Sequence, residues 1–320
     1  MEIVPGLHRH ESYIGDKLMG HHLIIGDRSV LIDAGTPALA RDELLPWLTE
    51  LLGSPAALDM ILVTHADVDH FGGLAALRAA CPRAVVLAPE RDRHWIEDAD
   101  AIFAERYDAY HGQHGLTYEP ALTVMLREWR GSSVPVDLGL EGGEYLRGHD
   151  DQGGWTVLHV PGHTSGHLML WNAQQRVALI ADALNGATQV DRHGHPTAPP
   201  PYTDRDLYLT SIQTIKLLHP DILLTGHFPV MRGEEIPSFL AASRDFVLRT
   251  DEALTRLLRD AKGPLTLGQL IERANPLLGP FGFPPDLAFA LAAHMEWLER
   301  CGRVRRIHHK SVVAWEHRVD

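Results

Sequence analysis

The chain has 320 residues, 45% apolar and 22% charged, with a net charge of -13, the proportions of an ordinary soluble globular protein. No stretch approaches the roughly 18 uninterrupted apolar residues of a membrane span, and Cys81 and Cys301 alone build neither a disulfide framework nor a cysteine zinc site. The acidic balance disfavours a polyanionic partner over most of the surface, because affinity for nucleic acid comes largely from Lys and Arg. Met1-Glu2-Ile3-Val4-Pro5 has neither the basic stretch nor the apolar run of a signal peptide, so a cytoplasmic protein is expected. A chain of this length exceeds the size at which one core keeps growing, which predicts a larger domain over residues 1–242 and a smaller one over 243–320.

In chain order, residues 22–25 and 30–32 flank the turn-rich Gly26-Asp27-Arg28-Ser29 and predict a hairpin, followed by Asp33-Ala34-Gly35. Leu44, Leu45, Leu48 and Leu51 recur at helical spacing over about 38–52. The apolar run Met60-Ile61-Leu62-Val63 predicts a buried strand, residues 73–80 a helix stopped by Pro82, and residues 84–87 the next strand. Strand alternating with helix predicts an α/β fold. Residues 90–130 break the rhythm with a helical insert rich in aromatics, among them Trp95, Phe103, Tyr107, Tyr110, Tyr118 and Trp129. Such an insert either packs a core or, as a long insertion, covers a site. Strands return at 155–160, 167–171 and 177–180, a loop follows at 191–201, and 207–218 is a helix before the strand 222–224. Beyond Ser243, helices are predicted at 247–258, 266–274 and 286–300, then two strands around a turn at 304–307 and 311–315.

The residues that carry chemistry stand directly behind the strands. Thr64-His65-Ala66-Asp67-Val68-Asp69-His70 follows the run at 60–63 and leads into Phe71-Gly72-Gly73. Val160-Pro161-Gly162-His163-Thr164-Ser165-Gly166-His167, Ala181-Asp182 and Thr225-Gly226-His227 follow three later strands. Strand ends on a rigid scaffold are where loop side chains can be gathered into one site. Imidazole and carboxylate without thiolate suit Zn, Fe and Mn.

This ordered set, over about residues 1–240, resembles the metallo-β-lactamase superfamily, with a core of the glyoxalase II-like or lactonase-like kind. The family signature is His-x-His-x-Asp-His, then a Pro-Gly-His-Thr segment, a bridging Asp and a last His. Asp67 departs from it, standing where the family has its second His. The resemblance implies an αββα sandwich with two divalent ions, zinc first among them. His65, Asp67 and His163 would hold one ion, Asp69, His70 and His227 the other, and Asp182 would bridge both. Two ions about 3.5–4 Å apart make hydroxide available at neutral pH and stabilise a developing oxyanion, and Asp69 is the implied catalytic residue that orients the hydroxide. A short, charged Asp67 would harden the first site toward Fe or Mn, as Glu does there in flavodiiron proteins, or leave a single ion bound.

The implied activity is hydrolysis of a small ester, thioester or lactone by metal-bound hydroxide, with Tyr107, Tyr110, Tyr202 and Tyr208 as substrate contacts. Two alternatives stand beside it: a metal-dependent endoribonuclease, and a non-catalytic or redox di-iron protein of the same fold. Residues 243–320 resemble the winged helix that some members carry. The basic cluster Arg300, Arg303, Arg305, Arg306 and Lys310 is expected to be a solvated face rather than a surface for nucleic acid. The stripe Leu287, Leu291, Met295 and Leu298 is expected to dock on the catalytic domain or on a second copy in a homodimer. His21 and His22 are expected at an exposed sheet margin. His159 and His167 are expected to hydrogen-bond the ligands, and at most one of His111, His114, His193 and His195 to touch substrate.

Overall fold

The computed structural model describes residues 1–148, 152–309 and 311–318, so Lys310 of the basic cluster lies outside the described residues. One sheet runs in spatial order β1 (Glu2–Val4), β2 (Leu7–Ile14), β3 (Lys17–Ile25), β4 (Ser29–Ile32), β5 (Met60–Leu62), β6 (Val85–Pro89) and β7 (Leu138–Leu140). Its first strands pair antiparallel, and β4 to β7 pair parallel. The second sheet contains β8 (Tyr145–Leu146), β9 (Trp155–His159), β10 (Leu168–Asn172) and β11 (Val177–Ala181). After the small ribbon of β12 (Gln189–Val190) and β13 (Pro196–Ala198), it is completed by β14 (Ile222–Thr225) and β15 (Met231–Arg232). The spatial order is β15-β14-β11-β10-β9-β8, with β11 and β14 parallel.

Side-chain alternation along the strands sets the layers, since successive residues face opposite sides of a sheet. Val30, Ile32 and Leu62 point inward and share a core with Val157, Leu170 and Leu179 of the facing sheet. Their neighbours Leu31, Ile61 and Val63 point outward onto Leu44, Leu48, Leu74 and Leu77 of the flanking helices. On the other side, Met169, Ala178 and Leu223 pack on Ile212 and Ile215 of the helix Arg205–Leu218. The outcome is the αββα sandwich. No helix among the described residues is long and apolar enough to cross a membrane.

The expected boundary at 242/243 falls inside a continuous element. One helix, Glu235–Asp260, runs through it with Ser243 buried. Leu254 and Leu258 of that helix, the stripe Leu287, Leu291, Met295 and Leu298, and Ile212 and Ile215 of the sandwich belong to one apolar cluster. The stripe is covered within its own chain, in the same apolar cluster as Phe246, Leu254 and Leu258 of the helix Glu235–Asp260. Thr266 caps the helix Leu267–Leu278 through a reciprocal capping box. The closing sheet of β16 (Leu265–Thr266), β17 (Val304–His309) and β18 (Val312–His317) has the order β16-β18-β17, adding one strand to the anticipated hairpin.

A polar chain crosses this junction. Arg205 Nη2 donates to Asp251 Oδ2 at 2.6 Å, His294 Nδ1 meets Asp251 Oδ1 at 2.8 Å, and His294 Nε2 meets the Tyr202 hydroxyl at 2.7 Å. Asp251→Ala leaves the His294 imidazole without its acceptor and Arg205 with Asp206 as its remaining carboxylate, a loss of about 2 kcal/mol, the scale of hydrogen bonds to a charged group. Urea unfolding of the two proteins checks it, and a difference below about 1 kcal/mol would mean that the network adds no more than a surface pair.

Candidate metal centre

The segments singled out in the sequence meet at one edge of the sandwich because their strands run the same way. β4 and β5 are parallel, so Asp33 and Thr64-His65 leave the sheet side by side, and β11 and β14 do the same for Asp182 and His227. Asp182 follows Ala181, whose φ of 43° lies in the left-handed region, a strain tolerated where it aims a functional side chain. Gly226 is required beside it: a Cβ there would lie 2.4 Å from Asp182 Oδ1 and 2.9 Å from His70 Cε1. At Gly162, with φ 134°, a Cβ would lie 2.6 Å from Tyr208 Cα, so only glycine lets the chain run this close to the helix on its way into His163.

Three overlapping groups each place one donor atom per residue within 4.8 Å of the others: His65, Asp67 and His163; His65, His70 and Asp182; Asp69, His70 and His227. His70 Nε2 lies 3.4 Å from His227 Nε2 and 3.5 Å from Asp182 Oδ1, and His65 Nε2 lies 3.6 Å from Asp67 Oδ2. Ligands bonded tetrahedrally at about 2.1 Å are separated by about 3.4 Å, so these spacings suit shared ions. Two contacts are shorter, His163 Nε2 to Asp67 Oδ2 at 2.8 Å and His227 Nε2 to Asp182 Oδ2 at 2.9 Å.

Every imidazole of the cluster has its Nδ1 turned to an oxygen, leaving Nε2 for the centre. His163 Nδ1 meets Pro201 O and His227 Nδ1 meets Leu18 O, each at 2.9 Å, while His70 Nδ1 meets Asp33 Oδ2 at 2.9 Å. His65 Nδ1 lies 3.0 Å from Thr64 Oγ1, whose hydroxyl donates to Asp33. The Nδ1–H tautomer is assigned from these acceptors and is the one in which Nε2 offers a lone pair to a metal. His65 Nε2 and Asp182 Oδ1 are buried and lack a hydrogen-bond partner among the described residues. Buried polar atoms are rarely left so, and both face the shared space. The donor set therefore fits one or two divalent ions.

Charge in the cluster points the same way. Burial works against ionisation of Asp67, Asp69 and Asp182, yet their neighbours hold all three below the usual carboxylate range, foremost the Arg106 guanidinium for Asp67, the Lys17 ammonium for Asp69 and the adjoining His227 imidazole for Asp182. Burial also opposes a charged His70, but Asp182 and Asp33 raise its pKa to about 10. Metal binding must displace that proton.

Above the centre lies a cavity of about 430 Å³. Leu122, Met125 and Trp129 of the insert and Phe283 and Phe289 of the C-terminal region supply apolar wall, and Asp67, Asp69, His163 and Asp182 lie at its floor. The insert therefore both packs and covers: Phe103 and Leu126 are buried against the motif helix, while Tyr107 and Tyr118 face the cavity. Lys17 Nζ reaches Asp69 Oδ2 at 2.8 Å, and Asp286 accepts from the Tyr118 hydroxyl at 3.0 Å. Nothing in the sequence assigns Lys17, Asp33, Arg106 or Asp286 to the site, and Tyr118 is marked there only as one of the insert's aromatics. Only Asp33 had a local signal, its Asp-x-Gly turn.

Of the four expected substrate tyrosines, Tyr107 lines the cavity, its hydroxyl 3.4 Å from Asp67 Oδ1. Tyr110 packs edge-on to Phe289 and borders a neighbouring cavity instead. Tyr202 and Tyr208 are corrected: they are fully buried, stack at 4.4 Å and belong to the core beneath the helix Arg205–Leu218. His21 and His22 are likewise buried, not marginal, because β3 is covered on both faces. His167 makes no hydrogen bond among the described residues and stacks on the His65 ring at 4.5 Å, whereas His159 Nε2 bonds Ser165 O. His114 stacks on Trp315, and His193 and His195 are exposed beside Asp191.

Asp286 provides a pH test. Burial pushes its carboxyl up to about 6, Tyr118 opposing and Asp67 adding to the rise. A folded-state pKa above the unfolded value of about 3.9 means stability that is fully present below pH 4 and lost as pH rises through 6. Asp286→Asn is expected to remove that slope from the melting temperature of metal-free protein measured between pH 4 and 7. An unchanged slope would assign it to another group.

Residues 22–227 match the family model of the metallo-beta-lactamase superfamily. The probable metallo-hydrolase YflN of Bacillus subtilis is 25% identical over 233 residues, 66% of this chain and 79% of that protein. The acyl-coenzyme A thioesterase MBLAC2 of Bos taurus is 25% identical over 227 residues, 66% of this chain and 72% of that one. Among solved structures, the metallo-beta-lactamase family protein TTHA1429 of Thermus thermophilus shares the fold with a TM-score of 0.76 at 24% identity, over 99% of this chain and 100% of that one.

Proposed function

Since this chain belongs to the metallo-beta-lactamase superfamily, we propose that it is a metal-dependent hydrolase of a small ester, thioester or lactone. The observation that carries this reading is the apolar cavity seated on the cluster of His and Asp donors. The residues of this cluster would hold divalent ions, which when bound would supply hydroxide at neutral pH and Lewis acidity toward a carbonyl. His65, Asp67 and His163 would hold one ion, Asp69, His70 and His227 the other, with Asp182 reaching both. Asp69 faces the cavity floor, where its second role is to orient the attacking oxygen. Leu122, Met125 and Trp129 exclude water and bind the acyl body. The thioesterase relative adds weight to a thioester.

A groove for RNA is disfavoured by the same wall. The cations that line the cavity, Lys17 and Arg106, are each paired with an Asp of the cluster. On the tail, Arg300 pairs with Asp206, Arg305 with Glu316 and Arg306 with Glu299, which leaves little charge to neutralise phosphates.

Protein reconstituted with Zn, Mn or Fe and assayed on thioesters, lactones, carboxylic esters, phosphodiesters and RNA tests the proposal. Turnover of an acyl substrate is expected, and cleavage confined to RNA or phosphodiesters would overturn it. Met125→Trp, which fills the cavity, is expected to raise KM for the acyl substrate at least about tenfold, the loss of roughly 1.4 kcal/mol of binding, with metal content unchanged.

A further inference from the structure

Each carboxylate of the His65–His70 segment has a basic partner from outside the segment, and the two partners differ. Lys17 is about a third exposed on its hairpin. Arg106 is only 3% exposed, lies on the insert, and grips Asp67 with two nitrogens: Nε on Oδ1, and Nη2 on Oδ2 at 2.8 Å. Its guanidinium sits 5.2 Å from the centre of the Phe289 ring and 3.5 Å from His163 O, which fix its plane. Such a two-point pair is the strong form of a charged hydrogen bond. Asp67 Oδ2 still faces the cluster, 2.8 Å from His163 Nε2 and 3.6 Å from His65 Nε2.

We propose that Arg106 is a positioning residue of the metal centre, which makes Asp67 a donor of no net charge toward the first ion. The subsite then consists of His65, His163 and a neutralised carboxylate. Apart from the shared Asp182 its ligands carry no net charge, and the hardness expected of a lone Asp is offset. The insert thereby completes the metal centre as well as walling the cavity. The inference rests on reading the cluster as a metal centre and not on the identity of the substrate.

It makes a prediction opposite to intuition. A neutral imidazole at 67 should impair the subsite, because it leaves the guanidinium unpaired a few ångströms from a divalent ion. Like charges about 5 Å apart at an effective dielectric near 20 repel enough to weaken binding roughly 100-fold or more. Metal content after dialysis and affinity by chelator competition are measured for wild type, Asp67→His, Arg106→Met and the double variant. Two ions are expected in wild type, about one in Asp67→His, and about two again in the double variant, where imidazole no longer meets a cation. For Arg106→Met alone, Asp67 keeps Tyr107 and His163 beside it but loses its paired cation, and the ion takes over that role. The rise in melting temperature on adding metal should therefore exceed that of wild type, and the first site should shift toward Mn over Zn.

Asp67→His with two ions at wild-type affinity, or a double variant no tighter than Asp67→His, would overturn the inference alone. Should Asp67→His fail to fold, an Arg106→Met protein with the wild-type metal-dependent rise in melting temperature overturns it as well. Fewer than two ions in wild type would overturn the two-ion reading of the cluster and this inference together.

Discussion

Asp182→Ala is expected to strip the centre of most of its metal and to lower hydrolysis by about three orders of magnitude, some 4 kcal/mol of transition-state stabilisation. Asp182 groups with His65 and His70, its Oδ1 3.5 Å from His70 Nε2, and its Oδ2 lies 2.9 Å from His227 Nε2. Its field is also the leading attraction that raises the pKa of His70. Removing it therefore takes away a ligand and the charge that draws cations to the site. Elemental analysis and single-turnover assays check this together. Asp182→Asn separates the two contributions, since the amide keeps the shape and loses the charge. An Ala variant that retained both ions at wild-type affinity would remove Asp182 from the ligand set.

Asp33→Asn should weaken metal binding about 10- to 100-fold, the range found when the partner of a ligating imidazole is altered. Asp33 accepts from Thr64 N at 2.8 Å, from the Thr64 hydroxyl at 3.0 Å and from His70 Nδ1 at 2.9 Å. It orients His70 directly and His65 through Thr64. Both its oxygens are acceptors only, so the NH₂ of Asn must face an N–H or force the Thr64 hydroxyl to turn. Titration of metal-free protein with a chelator competitor measures the loss. Wild-type affinity in Asp33→Asn would mean that the strand ends alone hold the imidazoles in place.

The same tie explains why the candidate metal donors are legible in the sequence. A metal donor must sit where a rigid strand ends, so His65, His70, His163, Asp182 and His227 each stand a few residues behind an apolar run, and local order along the chain was enough to find them. The strand–helix order of an α/β fold is legible for the same reason, since the apolar run at 60–63 and the helical spacing at Leu44, Leu48 and Leu51 are properties of neighbours in the chain, while the αββα layering was implied by the resemblance.

Everything that depends on pairs remote in sequence was decided by the tertiary structure. Nothing near Asp67 announces Arg106, and nothing near Tyr118 announces Asp286, because an ion pair or a hydrogen bond between distant segments has no period and no motif. The aromatic residues of Glu90 to Arg130 could be assigned to core or to lid only once Phe103 was seen to turn inward and Trp129 to border the cavity. Tyr202 and Tyr208 failed as substrate contacts because the C-terminal helices cover the face that would otherwise expose them. The expected boundary at 243 falls inside the helix Glu235–Asp260. Sequence by itself determined which residues could bind metal and which faces were apolar, as these are written into each element. Which apolar face meets which, and which charge meets Asp67, follows from burying all those faces at once, a condition on the whole chain that no single segment carries.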